Sequence, residues 1–307
     1  MMISAGLSVV IPLFNKEHTI QRALHSVSKQ DLLPDEVIVV DDGSTDKSAE
    51  IVKQFDCQSE LKIRYIYQSN RGVSAARNKG AAGAAGKFIA FLDADDEWLP
   101  HHTINLKNLI SGEPKANLYT NTYTLVVDGK QRAPKADLPD SYSGIVENFI
   151  SVYSRGYGLI HSSSVCFEKT FFNEIGGFPE GEISGEDIYV WLNSALNGQI
   201  ACNHCRSVVV HKTDLLSGER REKSIPYHIQ YFSDNLRKYN ADQQKELKRF
   251  LKKNIMLHWA AAKVEKNKWF RKKIRRIGKK ISTPLVVLLL LSEMVPGKLF
   301  KTLKSSR

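Results

Sequence analysis

The chain has 307 residues, enough to bury one sizeable core and a small appended unit. Its 42% hydrophobic and 25% charged residues are those of an ordinary soluble globular protein, which sets aside a disordered or fibrous chain. The net charge of +11 suggests a nucleic-acid partner until it is located: from Lys263 onward there are 14 Lys/Arg against two acids (Glu265, Glu293), leaving 30 bases against 31 acids elsewhere.

In chain order, residues 7–13 (Leu-Ser-Val-Val-Ile-Pro-Leu) are a continuous apolar run of strand length, and Ile20, Ala23, Leu24 and Val27 follow at helical spacing. Residues 36–40 form a second short strand ending in Asp41-Asp42-Gly43-Ser44. Ser44 or Thr45 is placed to cap a helix holding Ala49, Ile51, Val52 and Phe55. A third strand over 62–67, an Ala/Gly-rich helix from about Val73 to Ala82 and a buried strand over 88–92 complete the alternation. Strand and helix joined by short links predict a doubly wound α/β sheet over the first hundred residues.

Residues 113–160 carry little pattern beyond a strand over 118–127 and a loop marked by Pro134, Pro139, Asp140 and Ser141. A Gly-Gly-Phe-Pro turn at 176–179 and Gly185-Glu186-Asp187 lead into an apolar helix with Ile188, Trp191, Leu192, Ala195 and Leu196. Val208-Val209-Val210 reads as a strand ending at His211, and beyond Pro226 the spacing is helical, first Ile229, Phe232, Leu236 and Tyr239, then Leu247, Phe250, Leu251 and Ile255. Four cysteines (Cys57, Cys166, Cys202, Cys205) with no signal peptide fit a reducing cytoplasm. Cys202-Asn203-His204-Cys205 has the spacing of half a zinc site, but no second pair follows, and small buried thiols are the plainer reading.

Phe91-Leu92-Asp93-Ala94-Asp95-Asp96 delivers three carboxylates within four residues to the C-terminal end of a strand. Crowded carboxylates raise each other's pKa unless a cation sits among them. Mg²⁺ or Mn²⁺, held by one or two carboxylates plus substrate phosphates, answers that need; an acidic turn left in water is the alternative. In open α/β sheets ligands bind beyond the carboxyl ends of the strands. Phe14-Asn15, Asp41-Asp42, Asn70-Arg71-Gly72 and Asp93-Ala94-Asp95 all lie at such ends.

These segments resemble, in order, the motifs of family 2 glycosyltransferases. Val9-Val10-Ile11-Pro12-Leu13-Phe14-Asn15 and Val39-Val40-Asp41-Asp42-Gly43-Ser44-Thr45-Asp46 look like its opening motifs. Asn70-Arg71-Gly72-Val73-Ser74-Ala75-Ala76-Arg77-Asn78 and the acidic strand end continue the pattern, and Gly176-Gly177-Phe178 with Glu186-Asp187-Ile188-Tyr189-Val190-Trp191 resemble its acceptor half. The resemblance covers about two thirds of the chain, residues 7–212. It implies a GT-A fold and an inverting transfer from a nucleotide-sugar.

On that resemblance Pro12 and Phe14 offer an apolar edge to a nucleobase, with strand-end packing as the alternative. Asp41 or Asp42 accepts the imide N–H of a uracil, or shapes a turn and cap. Asn70 belongs to the donor site, and Arg77 faces the pyrophosphate from a helix whose N-terminus favours anions. Asp93 goes to the ribose or a metal-bound water, Asp95 to the metal, and Asp96 to the shape of the loop. Asp187 becomes the base and Glu186 orients the acceptor or a nearby loop, against the alternative of an acidic helix start. His211 is a metal or diphosphate ligand or a satisfied core histidine. The Arg that many relatives carry just before it is absent, and Lys212, Arg220 and Arg221, beside a Ser217-Gly218 hinge, are its candidate replacements.

In the tail, residues 266–280 are basic with an apolar minority (Trp269, Phe270, Ile274, Ile277 and, just beyond, Ile281), the signature of a helix lying on an anionic membrane. The apolar run over 285–291 is too short to span.

The expectation is therefore a GT-A-type, mostly parallel sheet followed by C-terminal helices and a basic amphipathic tail. Its divisions are a catalytic domain over 1–215, a helical extension over 216–262 and a membrane-associating tail over 263–307. The activity expected is metal-dependent (Mn²⁺ or Mg²⁺) transfer from a UDP-sugar to a glycan or lipid-linked acceptor, in cell-surface polysaccharide synthesis. The place expected is the inner face of the cell membrane, with no nucleic-acid partner. The rivals are a non-catalytic sugar-nucleotide-binding module and a nucleotidyltransferase, which would want a Gly-rich basic loop where Leu13-Phe14-Asn15-Lys16-Glu17 stands.

Overall fold

A computed structural model of the chain describes residues 6–57, 59–212 and 224–293. They form two compact units, one of residues 6–181 with 190–212, the other of residues 182–189 with 224–293.

In the first unit β1 (Leu7–Leu13), β2 (Glu36–Asp41), β3 (Ile63–Tyr67) and β4 (Phe88–Phe91) alternate with α1 (Ile20–Ser28), α2 (Ser48–Asp56) and α3 (Val73–Gly83). Then come β5 (Glu97–Trp98), α4 (His102–Gly112), β6 (Leu118–Val127), β7 (Lys130–Arg132), β8 (Ser143–Ile145) and α5 (Phe149–Arg155). β9 (Val165–Glu168), α6 (Lys169–Glu174), α7 (Glu186–Asn197), which straddles the two units, and β10 (Ile200–Lys212) complete it. The sheet order is β3-β2-β1-β4-β9-β6-β10-β5, with β7 on β6 and β8 on β10. Parallel ladders join β3, β2, β1 and β4 and again β6 and β10, and carry most of the paired residues; β9 enters antiparallel. β1 and β4 are buried at every position, the mark of parallel strands covered on both faces.

Two sequence choices set the geometry at the strand ends. The carbonyl of Val10 accepts from Leu92 and that of Leu13 from Asp42, so even-numbered residues of β1 face β4. Pro12 therefore meets β4 without an N–H, and the β1–β4 ladder stops at Val10 and Phe91. Beyond that point the chain after β4 is free to turn away from the sheet. Behind it, Gly80 lets α3 lie directly on the strands, because a Cβ there would stand 2.3 Å from a Val10 methyl.

The structure departs from the sequence reading of this unit in three places. α2 begins at Ser48 with Lys47 at its N-cap, so neither Ser44 nor Thr45 caps it; both bond Asn15 instead. The short strand at 208–210 is the end of the 13-residue β10, paired along its length with β6. β5, β7, β8, β9, α4, α5 and α6 were not legible as elements. Cys202 is buried in β10, with its thiol pushed up to about 12 by burial, and Cys205 accepts from Asn105; nothing there resembles a thiolate site.

The second unit is helical: α8 (Tyr227–Asn235), α9 (Ala241–Val264), α10 (Lys268–Ile281) and α11 (Thr283–Glu293). Asn240 and Gln243 cap α9 reciprocally, and Asn267 caps α10 through the Phe270 N–H. Phe270, Ile274, Ile277 and Ile281, expected on a membrane surface, are buried, and α10 packs against α8, α9 and α11. An amphipathic stripe satisfied by protein has the same spacing as one satisfied by lipid. No helix among the described residues is long and apolar enough to cross a membrane.

Candidate active site

The carboxyl ends of β1, β2 and β4 carry most of the polar groups singled out above. At the end of β1, Pro12 is buried and Phe14 is 44% exposed, followed by Asn15 in the left-handed region at φ 50°. That turn lets Asn15 accept from the Thr45 N–H at 2.8 Å while its own N–H donates to Ser44 at 3.0 Å, locking the β1 loop to the β2 loop.

Asp41 and Asp42, at the end of β2, are 1% and 3% exposed. Asp41 accepts from the Ser44 N–H (2.8 Å) and the Tyr65 hydroxyl (2.5 Å). Asp42 accepts from the Gln68 amide (2.7 Å) and from the N–H groups of Arg71 (2.8 Å) and Gly72 (2.7 Å). It thus holds the exposed Asn70-Arg71-Gly72 loop that opens α3. A carboxylate offers about four acceptor positions, so Asp41 retains two and Asp42 one.

The end of β4 is arranged differently. Arg77, 4% exposed on α3, donates to Asp93 at 2.6 Å and lies over the Phe178 ring at 4.9 Å. Burial is the largest influence and opposes ionisation of Asp93, but the Arg77 charge and hydrogen bond, with His161 and Lys16 nearby, together hold the carboxyl below its usual range. Arg77, assigned from sequence to a pyrophosphate, thus has an acid as its partner. Asp95 is paired with the Lys16 ammonium at 2.5 Å, with side chains 35% and 37% exposed, and Arg22 bonds the Asp95 carbonyl. Asp96 is 2% exposed and accepts from the Ser163 hydroxyl and from the His211 N–H at 3.0 Å. Burial, then the charges of Asp93 and Asp95, push its carboxyl well above the ordinary range.

Ser163, in a short 3₁₀ turn over Ser162–Ser164, is the residue sequence reasoning missed. Its oxygen accepts from the Asp93 N–H at 3.1 Å and donates to Asp96, and its carbonyl accepts from the Trp98 indole at 2.6 Å. One side chain thereby fixes both ends of the acidic turn. His161 is 3.6 Å from Asp96; burial drives its pKa down to about 4, so it is neutral near pH 7. The only hint of either was a polar Ser-Ser-Ser between apolar Leu159-Ile160 and Val165-Cys166. The His211 ring faces Glu97 at 2.9 Å. Arg220, Arg221 and the Ser217-Gly218 hinge lie outside the described residues.

The donor set suits a hard divalent ion, being carboxylate oxygens with an imidazole close by. The ligand atoms of Asp93, Asp96 and His161 lie within 4.8 Å of one another, whereas sequence had grouped Asp93 with Asp95 and His211. Arg77 and the donors on Asp96 close that cluster with its own hydrogen bonds. Asp95 is the acid with solvent access and an exchangeable partner, which a hydrated ion sharing its shell with phosphates requires.

In the second unit, Glu186 and Asp187 occupy the first turn of α7, where the helix dipole favours negative charge. Gly185 precedes them at φ +77°, and a Cβ there would meet the His228 ring at 2.5 Å, so the chain enters the helix pressed against α8. One turn on, Tyr189 packs edge-on against Tyr227 and Tyr231 at 4.9 and 4.8 Å.

Residues 8–165 match the family described as Glycosyl transferase family 2. Among curated proteins, the chain is 31% identical over 205 residues to the UDP-Glc:alpha-D-GlcNAc-diphosphoundecaprenol beta-1,3-glucosyltransferase WfgD of Escherichia coli, covering 65% of this chain and 73% of that one. It is 29% identical over 198 residues to glycosyltransferase GlyA of Streptococcus pneumoniae, covering 62% of this chain but only 28% of GlyA. The chain thus spans under a third of GlyA. Among solved structures, S. aureus TarS 1–349 in complex with UDP-GlcNAc superposes with a TM-score of 0.72 at 21% identity, over 98% of this chain and 91% of that one.

Proposed function

Since the chain belongs to glycosyl transferase family 2, a family of sugar-transferring enzymes, we propose that it moves a sugar from a UDP-sugar to a hydroxyl of a lipid-linked glycan acceptor, with inversion. The observation that carries this reading is the acidic end of β4, where the part-exposed Asp95 pairs with Lys16 of the loop after neighbouring β1, which also carries Phe14, with the Asp41–Asp42 end of β2 one strand further on. The names of WfgD and of the TarS complex support the donor, and that of WfgD the acceptor.

In this reaction the acceptor oxygen attacks the anomeric carbon, the bond from that carbon to the diphosphate oxygen breaks, and the nucleoside diphosphate departs. Asp187 takes the proton of the attacking hydroxyl, and Glu186 orients the acceptor. Phe14 and Pro12 carry the base, and the remaining acceptor positions of Asp41 and Asp42 read its edge. Asn70 and Arg77 border the diphosphate, with Arg77 also holding Asp93 toward the ribose. Asp95, with His211 and Asp93, would hold a divalent ion, which neutralises charge on the leaving diphosphate. The enzyme works as a peripheral protein on the cytoplasmic face of the membrane, in cell-surface polysaccharide synthesis.

The test is transfer from a panel of UDP-, GDP- and dTDP-sugars to a lipid diphosphate-sugar, alongside UDP binding. Asp187→Asn is expected to lower turnover by ~10²–10⁴-fold and to leave UDP affinity unchanged. Equal loss of both would assign Asp187 a structural role. Metal-dependent UDP binding with no transfer from any donor would favour a binding module.

A further inference from the structure

We propose that the outer face of α11 is the surface that docks on an anionic lipid bilayer, with the cations of α10 beside it. This rests on the peripheral attachment proposed above and moves the contact away from the α10 isoleucines that the sequence pointed to.

The faces of α11 are cleanly divided. Leu285, Val286 and Leu289 are buried, whereas Val287, Leu288, Leu290 and Leu291 are 50%, 45%, 47% and 59% exposed. The exposed four recur at three and four residues and so form one aliphatic stripe along the helix. The inner face is held by α10: Gly278 has no side chain, and a Cβ built there would lie at ordinary contact distance from Leu285 and Leu289, 3.5 and 3.6 Å away. That contact brings the stripe alongside the most basic element of the chain. α10 carries eight Lys/Arg and no acid, with Lys272, Lys273, Arg276 and Lys279 exposed. Trp269, 49% exposed, lies under the Lys273 ammonium at 4.9 Å, an aromatic with its ring at the surface.

Charge selects the occupant. A second copy docked on this face about a twofold axis would bring two helices of eight Lys/Arg and no acid each together, which like-charge repulsion opposes. A nucleic acid would use the cations but not four aliphatic side chains. An anionic bilayer takes both, phospholipid headgroups on α10 and acyl chains on the α11 stripe.

The full chain is mixed with neutral phosphatidylcholine vesicles and with vesicles a third of whose lipid is phosphatidylglycerol, and the bound fraction is measured by flotation. Binding to anionic vesicles is expected to exceed neutral binding by at least about tenfold and to fall with salt. Leu288→Glu with Leu291→Glu is expected to lose about tenfold or more of it, since both side chains point outward and the fold is kept, as circular dichroism will show. Lys272→Gln with Lys273→Gln should weaken anionic binding and leave neutral binding unchanged. Wild-type binding undiminished by the Glu pair would overturn the assignment to α11 while leaving peripheral attachment standing. No vesicle binding by the wild type would overturn both. A wild-type dimer that the Glu pair dissociates would give the face to a second copy.

Discussion

The ends of β2 and β4 each present a pair of aspartates, Asp41 with Asp42 and Asp93 with Asp95, and the chain treats the two pairs in opposite ways. Asp41 and Asp42 are almost fully buried and bonded to backbone N–H groups, a phenol and an amide. Asp93 and Asp95 are bonded to cations, Arg77 and Lys16, and keep 22% and 35% of their side-chain surface. Neutral donors fixed by the fold make a carboxylate part of the architecture. A cationic partner on a half-exposed side chain, as Lys16 is to Asp95, leaves a carboxylate able to exchange one cation for another. Asp96 belongs with the first kind although it sits in the second sequence, because Ser163 and the His211 N–H close it off.

That contrast can be broken by substitution. The largest effect is expected from Asp95→Ala, which should abolish the metal-dependent part of UDP binding while costing ~1 kcal/mol or less in stability, since its pair with Lys16 is a third exposed. Mn²⁺ titration followed by electron paramagnetic resonance checks the first, and thermal unfolding the second; metal binding that survives would move the ion to the Asp93–Asp96–His161 cluster. Asp42→Ala should instead leave Mn²⁺ affinity intact and cost stability. Stripping an acceptor from two N–H groups and an amide costs about 1–3 kcal/mol for each group left unsatisfied in the interior, read as a lowered denaturation midpoint, and Asp42→Asn, which keeps an acceptor oxygen, should recover part of it.

Ser163→Ala is expected to cost about 1–3 kcal/mol and to loosen Asp93 and Asp96 together, so that Mn²⁺ affinity and stability fall in one variant while either remains intact in the Asp95 or Asp42 variants. The last effect is one of pH, felt only in acid. His102, fully buried between Ser207 and Asn121, has its pKa driven down to about 3 by burial. The unfolded chain therefore binds a proton there that the folded chain refuses. Stability should be full above about pH 6.5 and decline as pH falls from there toward 3, and His102→Gln should flatten that decline in acid-unfolding curves.

The gathering of polar groups at the strand ends was legible because its signals are local. A buried strand followed within two residues by acids, repeated at β2 and β4, announces a strand-end site without reference to the rest of the chain. Ser163 was not legible because its bonds reach back 67 and 70 residues to Asp96 and Asp93, and no spacing rule connects them. The division between Asp41 and Asp42 as turn and ligand could not be drawn, since Asp-Asp-Gly-Ser reads the same whether one carboxylate or both face inward. The partner of the tail's isoleucine stripe was not legible for a related reason. The period of Ile274, Ile277 and Ile281 names a helix with one apolar side, and only the position of α9 and α11 says what that side meets.

Pro12 has a reach beyond its own strand. By ending the β1–β4 ladder at Phe91 it makes a seam, past which the acidic segment is anchored by side chains and by β10 rather than by its neighbour in the parallel sheet. A segment attached that way can be lengthened, shortened or traded for another without unzipping the strands beneath it. The acids proposed to hold the ion thus ride on a segment that side chains and β10 fasten to the end of the sheet.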